Sequence, residues 1–341
     1  MMRDVLQRLI GYQDIPEGEA YDVMTAIMSG EVTPAQIAGF LVAMRMKGET
    51  VDEITGFARA MRDKVIRVHT QRRPIVDTCG TGGDGSGTFN ISTAAAIVAA
   101  GAGVCIAKHG NRAVSSRCGS ADVLEALGVR LNLDAKAVGQ CLDEVGIAFL
   151  FAPALHPAMQ YAVTPRRELG VRTVFNLLGP LTNPAGASAQ VMGVYSRDLV
   201  EPIASVLAKL GAERAFVVHG HDGVDEISLS APTEVAEVRN GETRTYRLQP
   251  KELGLNLGDS AALAGDTAEV NAQMIRDIMD GRAGPALDVT VLNAAAVLMA
   301  AGVAGDWNEG MELARETILS GKAEQKLEQW VAFTEHPTVE P

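Results

Sequence analysis

Three polar clusters in this sequence carry residue types able to do chemistry, and each follows a short apolar run. The first is DTCGTGGDGSGTFNIST, Asp77 to Thr93, where five glycines (Gly80, Gly82, Gly83, Gly85 and Gly87) separate the apolar Pro74 to Val76 from a helix-like run that starts at Thr93. Glycine lets a loop adopt positive φ and lets a ligand approach the main chain. Bare N–H groups and a helix N-terminus then converge on one point, which favours an anion such as phosphate. The second cluster is KHGNRAVSS, Lys108 to Ser116, continuing to Ser120 and Asp122. Lys108, Asn111, Arg112, Ser115, Ser116 and Ser120 offer cations, hydroxyls and an amide suited to phosphate and sugar oxygens. By itself it equally reads as a polar loop with Ser120 capping the helix SADVLEALG. The third is HGHDGVDEIS, His219 to Ser228. Its adjacent carboxylates Asp225 and Glu226 suit a divalent cation whose other ligands are phosphate oxygens, and a solvated acidic turn is the plain alternative. His219 and His221 form an HxH pair, but no third zinc ligand stands nearby.

Gly80, Gly82 and Gly85 also satisfy GxGxxG, the dinucleotide pattern, which expects an acidic residue at the end of the next strand. Lys108 stands there instead, and Asp84 inside the loop would repel a bare pyrophosphate unless a cation or sugar hydroxyls intervene. No GK[ST] follows the glycines, so the loop is not a Walker A motif. Arg166, Arg167 and Arg172 fall within seven residues of TPRRELGVRTVFNLLGPLTNP, Thr164 to Pro184. Such a group can clamp a carboxylate, although surface charge accounts for at least two of them.

The elements that must position these clusters change character near residue 70. Before it the pattern is helical. Thr33 with Pro34 opens a helix with Ile37, Phe40, Leu41 and Met44 on one face, and Thr50 with Glu53 forms a capping box for a second, whose face is Ile54, Phe57, Ala58, Met61 and Val65. From Pro74 onward, short apolar runs alternate with helices, as in a mainly parallel sheet covered by helices. Strands are expected at Val76, Val104–Ala107, Ile147–Phe151, Val191–Tyr195 and Ala215–Val218. Helices are expected at 93–101, 120–127, 134–145, 198–210, 268–281, 287–301 and 308–333. Around Asn240-Gly241, alternation from Glu234 to Leu248 marks a hairpin with a type I′ turn. The stretch 164–184 interrupts the alternation and reads as a surface or interdomain segment.

The chain has 341 residues, enough for two domains, and 47% of them are hydrophobic but only 4% aromatic, so the core is aliphatic. A formal charge of −12 argues against nonspecific nucleic-acid binding, which needs basic residues to neutralise phosphates. Cys79, Cys105, Cys118 and Cys141 form no CxxC pair and read as reduced thiols of a cytoplasmic protein. No run of about 18 apolar residues indicates a membrane span.

The glycine loop, KHGNRAVSS, RRELGVRTVFNLLGPLTNP and HGHDGVDEIS, in this order and spacing, resemble the anthranilate phosphoribosyltransferase family nearly end to end. The resemblance implies a small all-helical domain (1–70 plus about 164–186) packed on a larger α/β domain (74–163 plus about 187–341) with a mainly parallel central sheet. It implies a homodimer using phosphoribosyl pyrophosphate (PRPP) and anthranilate, with two Mg2+ ions beside PRPP. PRPP would contact Gly80, Gly83, Asp84, Thr88, Asn90, Ile91, Ser92, Thr93, Lys108, Ser116 and Ser120. Anthranilate would contact Gly80, Asn111 and Arg166, the last at its carboxylate, and Ser92, Asp225 and Glu226 would hold the metal. No residue is expected as acid or base. A pyrimidine nucleoside phosphorylase, or a non-catalytic relative on the same scaffold, is the alternative.

Overall fold

The computed structural model describes residues 1–113 and 117–337. Local capping chemistry starts the helices of the N-terminal part. After α1 (Met2–Ile10) and α2 (Glu17–Met28), α3 (Pro34–Lys47) begins at Thr33, whose hydroxyl accepts from Gln36 N at 3.3 Å while Gln36 Oε1 accepts from Thr33 N at 3.2 Å. Helix α4 (Val51–Lys64) repeats the device with Thr50 and Glu53. The anticipated faces Ile37, Phe40, Leu41, Met44 and Ile54, Phe57, Ala58, Met61 are buried, with Phe40 and Phe57 edge to face at 5.7 Å. Val65 ends α4 as its C-cap and is only partly buried.

The remainder alternates strands and helices: β1 (Ile75–Gly80), α5 (Ile91–Gly101), β2 (Cys105–Gly110), α6 (Ser120–Leu127), α7 (Ala135–Glu144), β3 (Ile147–Phe151), α8 (Ala152–Leu155), α9 (Gln160–Leu169), α10 (Phe175–Leu178), β4 (Ala189–Gly193), α11 (Val200–Lys209) and β5 (Arg214–Gly220). The hairpin β6 (Thr233–Arg239) and β7 (Glu242–Leu248) follows, then α12 (Ala268–Met279), α13 (Pro285–Ala300), α14 (Trp307–Leu319) and α15 (Lys322–Glu335). The sheet order is β3-β2-β1-β4-β5-β6-β7, parallel through β5 and antiparallel at β6 and β7. Asn240 and Gly241 both have positive φ, 52° and 84°, as the type I′ turn requires.

Strands buried on both faces lose the alternation of an exposed sheet. In β5, Phe216 and Val218 join a core with α5, α13 and α15, while Ala215 and Val217 join a second core with α11 and the N-terminal helices. Three expectations need correction. The stretch 164–184 holds α9, which starts at Gln160, runs through Pro165 and packs on α2 and α3, and also the short α10, whose Phe175, Leu177 and Leu178 are buried in the second core. The helix expected over 308–333 is broken by Gly321, whose φ of 76° is left-handed. Ser120 is not a cap: Gly119 occupies that position, and Asp122 Oδ2 accepts from Gly119 N at 2.9 Å and from Ala113 N at 3.0 Å.

Candidate active site

The chain passes from β1 leftward to β2 and β3, then returns to place β4 on the other side of β1, so the order reverses between β1 and β4. Ligands of open α/β sheets gather at such a point, beyond the carboxyl ends of the strands. Here Gly80 and Gly193 end the two strands in register. A Cβ at Gly193 would meet Asp225 O at 1.5 Å, and one at Gly80 would meet Asp225 Oδ2 at 2.4 Å. Glycine at both strand ends is what lets the acidic loop after β5 lie across the reversal.

That placement joins the first and third clusters. Gly82 N donates to Asp225 Oδ2 at 2.8 Å, Asp225 N donates to Asp84 Oδ2 at 3.1 Å, and Ser92 N donates to Glu226 Oε1 at 3.1 Å. The last bond sets a carboxylate on the N-terminus of α5, where the helix dipole favours it. Burial and the neighbouring Asp84 carboxylate push Asp225 up to about 7, and burial and Asp225 push Glu226 up to about 8, against the opposing charge of Lys108. The oxygens of these three carboxylates are the donors a hard divalent cation takes. Among the described residues no group of three or more His, Cys, Asp or Glu is arranged to hold a metal unaided.

Lys108 is turned inward. Only 1% exposed, its ammonium donates to Thr78 O, to Thr78 Oγ1 at 3.4 Å and to Ser92 Oγ at 3.2 Å, and burial lowers its pKa. It therefore sits beneath the loop as a charge behind Ser92. Ile91 and Thr93 are buried, and among the described residues the Thr93 Oγ1 has no hydrogen-bond partner. Asn90 accepts from Asn271 Nδ2 at 3.0 Å and donates to Cys118 O at 3.3 Å, and Thr88 bridges to Ala264. Ser120 Oγ lies 3.4 Å from Asn111 O at the start of α6. Arg112 is committed to Glu125 and Asp122 on the protein surface, and Ser115 and Ser116 lie outside the described residues. His219 and His221 diverge, Nδ1 of the first to Val194 O at 2.7 Å and Nε2 of the second to Glu234 at 3.1 Å, which excludes a shared metal.

A cavity of about 470 Å³ adjoins Gly80, lined by Asn111 and Arg166 together with residues that sequence reasoning did not assign, among them Met61, His109, His156, Phe175 and Asn176. The Arg166 guanidinium lies 5.0 Å from the centroid of Phe175, burial lowers its pKa, and among the described residues no carboxylate pairs with it. His109 Nε2 and His156 Nε2 are 3.1 Å apart, and His109 Nδ1 meets Gly179 O at 3.1 Å. Burial, then His156, drives His109 down to about 3, and burial drives His156 down to about 4, so both rings are neutral near neutral pH. The cavity thus offers one unpaired cation, an amide and apolar walls to a small aromatic acid. No sequence signal joins Met61 to Phe175 and Asn176, because the first belongs to α4 and the other two to α10.

Residues 72–324 match the α/β domain of a glycosyl transferase family, and residues 3–65 match the helical bundle domain of that family. The anthranilate phosphoribosyltransferase of Moorella thermoacetica is 55% identical over 98% of this chain and 99% of that protein, and that of Pelotomaculum thermopropionicum is 58% identical over 98% and 97%. A crystal structure of the Thermus thermophilus enzyme superposes with a TM-score of 0.92 at 49% identity, covering 97% of this chain and 99% of that one. The Saccharomyces cerevisiae enzyme in complex with PRPP and Mg has a TM-score of 0.89 at 29% identity, covering 98% of each chain. With a glycine loop and a cavity meeting at the reversal of one sheet, and with these relatives matched nearly end to end, the chain belongs to the anthranilate phosphoribosyltransferase family of glycosyl transferases.

Proposed function

We infer that the cleft transfers the 5-phosphoribosyl group of PRPP to the amino group of anthranilate, giving N-(5-phosphoribosyl)anthranilate and pyrophosphate in tryptophan biosynthesis. The observation that carries this reading is the half-buried Arg166, which pairs with no carboxylate among the described residues and lines one cavity with Gly80, the glycine that Asp225 overlies. Arg166 and Asn111 take the anthranilate carboxylate and hold the amine toward C1 of the ribose. PRPP lies along Gly80, Gly83, Asp84, Thr88, Asn90 to Thr93 and Ser120, and Ser116 is a further contact that the family resemblance implies. The C1–O bond breaks with its electron pair passing to pyrophosphate, the amine lone pair forms the C1–N bond, and the ammonium proton leaves to solvent.

An aryl amine needs no strong base, and the neutral imidazoles of His109 and His156 are not required as one. The work of the protein is positioning and electrostatics. Asp225, Glu226 and Ser92 would hold Mg2+, which when bound neutralises the charge growing on the leaving pyrophosphate. Asp84, Asp225 and Glu226, with the Ser92 hydroxyl, supply oxygens enough for two ions. Residues 1–70 with about 164–186 form the helical domain of this reading, 74–163 with about 187–341 the α/β domain, and the enzyme acts as a cytoplasmic homodimer. No helix among the described residues is long and apolar enough to cross a membrane.

The test is to follow anthranilate fluorescence with the chain, PRPP and MgCl2. Fluorescence should fall only when all are present. Phosphorolysis of a pyrimidine nucleoside without loss of anthranilate would instead sustain the phosphorylase alternative.

A further inference from the structure

Arg172, between α9 and α10, has no part in the reaction described above. Its guanidinium is 3.8 Å from the centroid of the Tyr195 ring, and its Nη2 donates to the carbonyl of Gly83. Gly83 itself has φ of 71°, and a Cβ there would lie 3.2 Å from the same Nη2. Its neighbours are held from the sheet side. Thr81 N donates to Gly193 O at 2.9 Å, Thr81 Oγ1 accepts from Tyr195 N at 3.0 Å, and Gly82 and Asp84 are bonded to Asp225. Among the described residues, the hydrogen bond from Arg172 is the one that reaches Thr81–Asp84 from the helical segment. Arg166 lies six residues earlier on that segment and lines the acceptor cavity.

A peptide unit is planar and trans, so a fixed Gly83 carbonyl fixes the opposite direction of the Asp84 N–H. A guanidinium stacked on an aromatic ring is well suited to the task, because the stack sets its plane while the fork donates. We propose that Arg172 is a positioning residue for the glycine loop: braced on Tyr195, it holds the Gly83–Asp84 peptide and so aims the loop N–H groups at the donor. The inference rests on the reading of this loop as the PRPP site.

The test compares Arg172→Ala, Arg172→Lys and Tyr195→Leu, with the exposed Arg167→Ala as a control that removes the same charge from the same segment. Arg172→Ala and Tyr195→Leu should each raise KM for PRPP about tenfold, the scale of a hydrogen bond to a charged group, with KM for anthranilate changed less than about twofold. Lysine should not rescue, since an ammonium neither stacks nor forks. Arg167→Ala should match the parent enzyme. Hydrogen exchange in the ligand-free protein should be faster over residues 81–90 in both loop variants, with melting temperatures showing each folded. An unchanged KM for PRPP with unchanged loop exchange in Arg172→Ala overturns the proposal. So does rescue by lysine with a silent Tyr195→Leu, which would mean that a bare charge suffices. A parent enzyme that does not saturate with PRPP sinks the donor reading instead, while the exchange comparison still decides whether Arg172 holds the loop.

Discussion

On the donor side of the cleft, the groups that matter are main-chain N–H groups, hydroxyls and carboxylates carried on the turns after β1 and β5, tied to one another residue by residue. On the acceptor side they are side chains scattered from Met61 to Thr182, and their common property is neutrality or apolarity around a single cation, Arg166. The donor wall is preorganised by its own hydrogen bonds before any ligand arrives, as transition-state stabilisation requires. The acceptor wall is a cavity whose one strong interaction is left for the ligand to make. In the proposed reaction the first arrangement would govern turnover, and the second which acceptor binds.

The contrast is broken most severely at Lys108. Lys108→Met should lower kcat on the order of 100-fold, because the loop loses the buried positive charge that stands behind Ser92, with little change in KM for anthranilate. It should also lower the melting temperature, because Thr78 and Ser92 lose a buried partner. A fall in kcat of less than about tenfold would mean that the buried charge does not support the donor wall. Next, Arg166→Ala should raise KM for anthranilate roughly tenfold to a hundredfold while kcat at saturation stays near that of the parent enzyme. An equal rise in KM for PRPP would erase the distinction between the walls.

The smallest effect lies in the pH dependence of stability, where the two walls have opposite signs. Asp225 and Glu226 have folded pKa values raised to about 7 and about 8, so their contribution is present below the ordinary carboxylate range and is lost as pH rises through those values. His109 and His156 have folded values depressed to about 3 and about 4, so theirs is present above the ordinary histidine pKa and is lost as pH falls toward 4. Added MgCl2 should therefore raise the melting temperature by a few degrees more at pH 8 than at pH 6. The double variant Asp225→Asn, Glu226→Gln should abolish that difference while keeping the loss of stability below about pH 6. A magnesium effect independent of pH would show that the carboxylates do not titrate as a group.

The donor wall was legible because its chemistry is backbone chemistry. A loop with φ of 65° at Gly82 and 71° at Gly83 writes its requirement directly as glycine. Strand ends overlain by Asp225 do the same at Gly80 and Gly193. The direction of Lys108 was not legible, since a lysine at a strand end reads alike whether it faces ligand or core. Nor was the cap of α6, where Asp122 bonds both Gly119 and Ala113 and so displaces Ser120 from the role its position suggested. The acceptor cavity was half legible. Arg166 and Asn111 stand in recognisable runs, whereas Met61 and Phe175 are ordinary apolar residues of amphipathic helices until the chain folds them beside His156.

The hairpin at the far edge of the sheet bears on solubility. A parallel sheet ending at β5 would expose the backbone of Ala215–Val218, whose four side chains are apolar and buried, and such an open edge is a template for pairing with another chain. The β6–β7 hairpin covers it and puts Glu242, Arg244 and Arg247, all exposed, on the outermost strand. Bringing a second copy edge to edge would strip these charges of water. The antiparallel addition, remote from the chemistry, thus replaces an apolar sheet edge with a charged one.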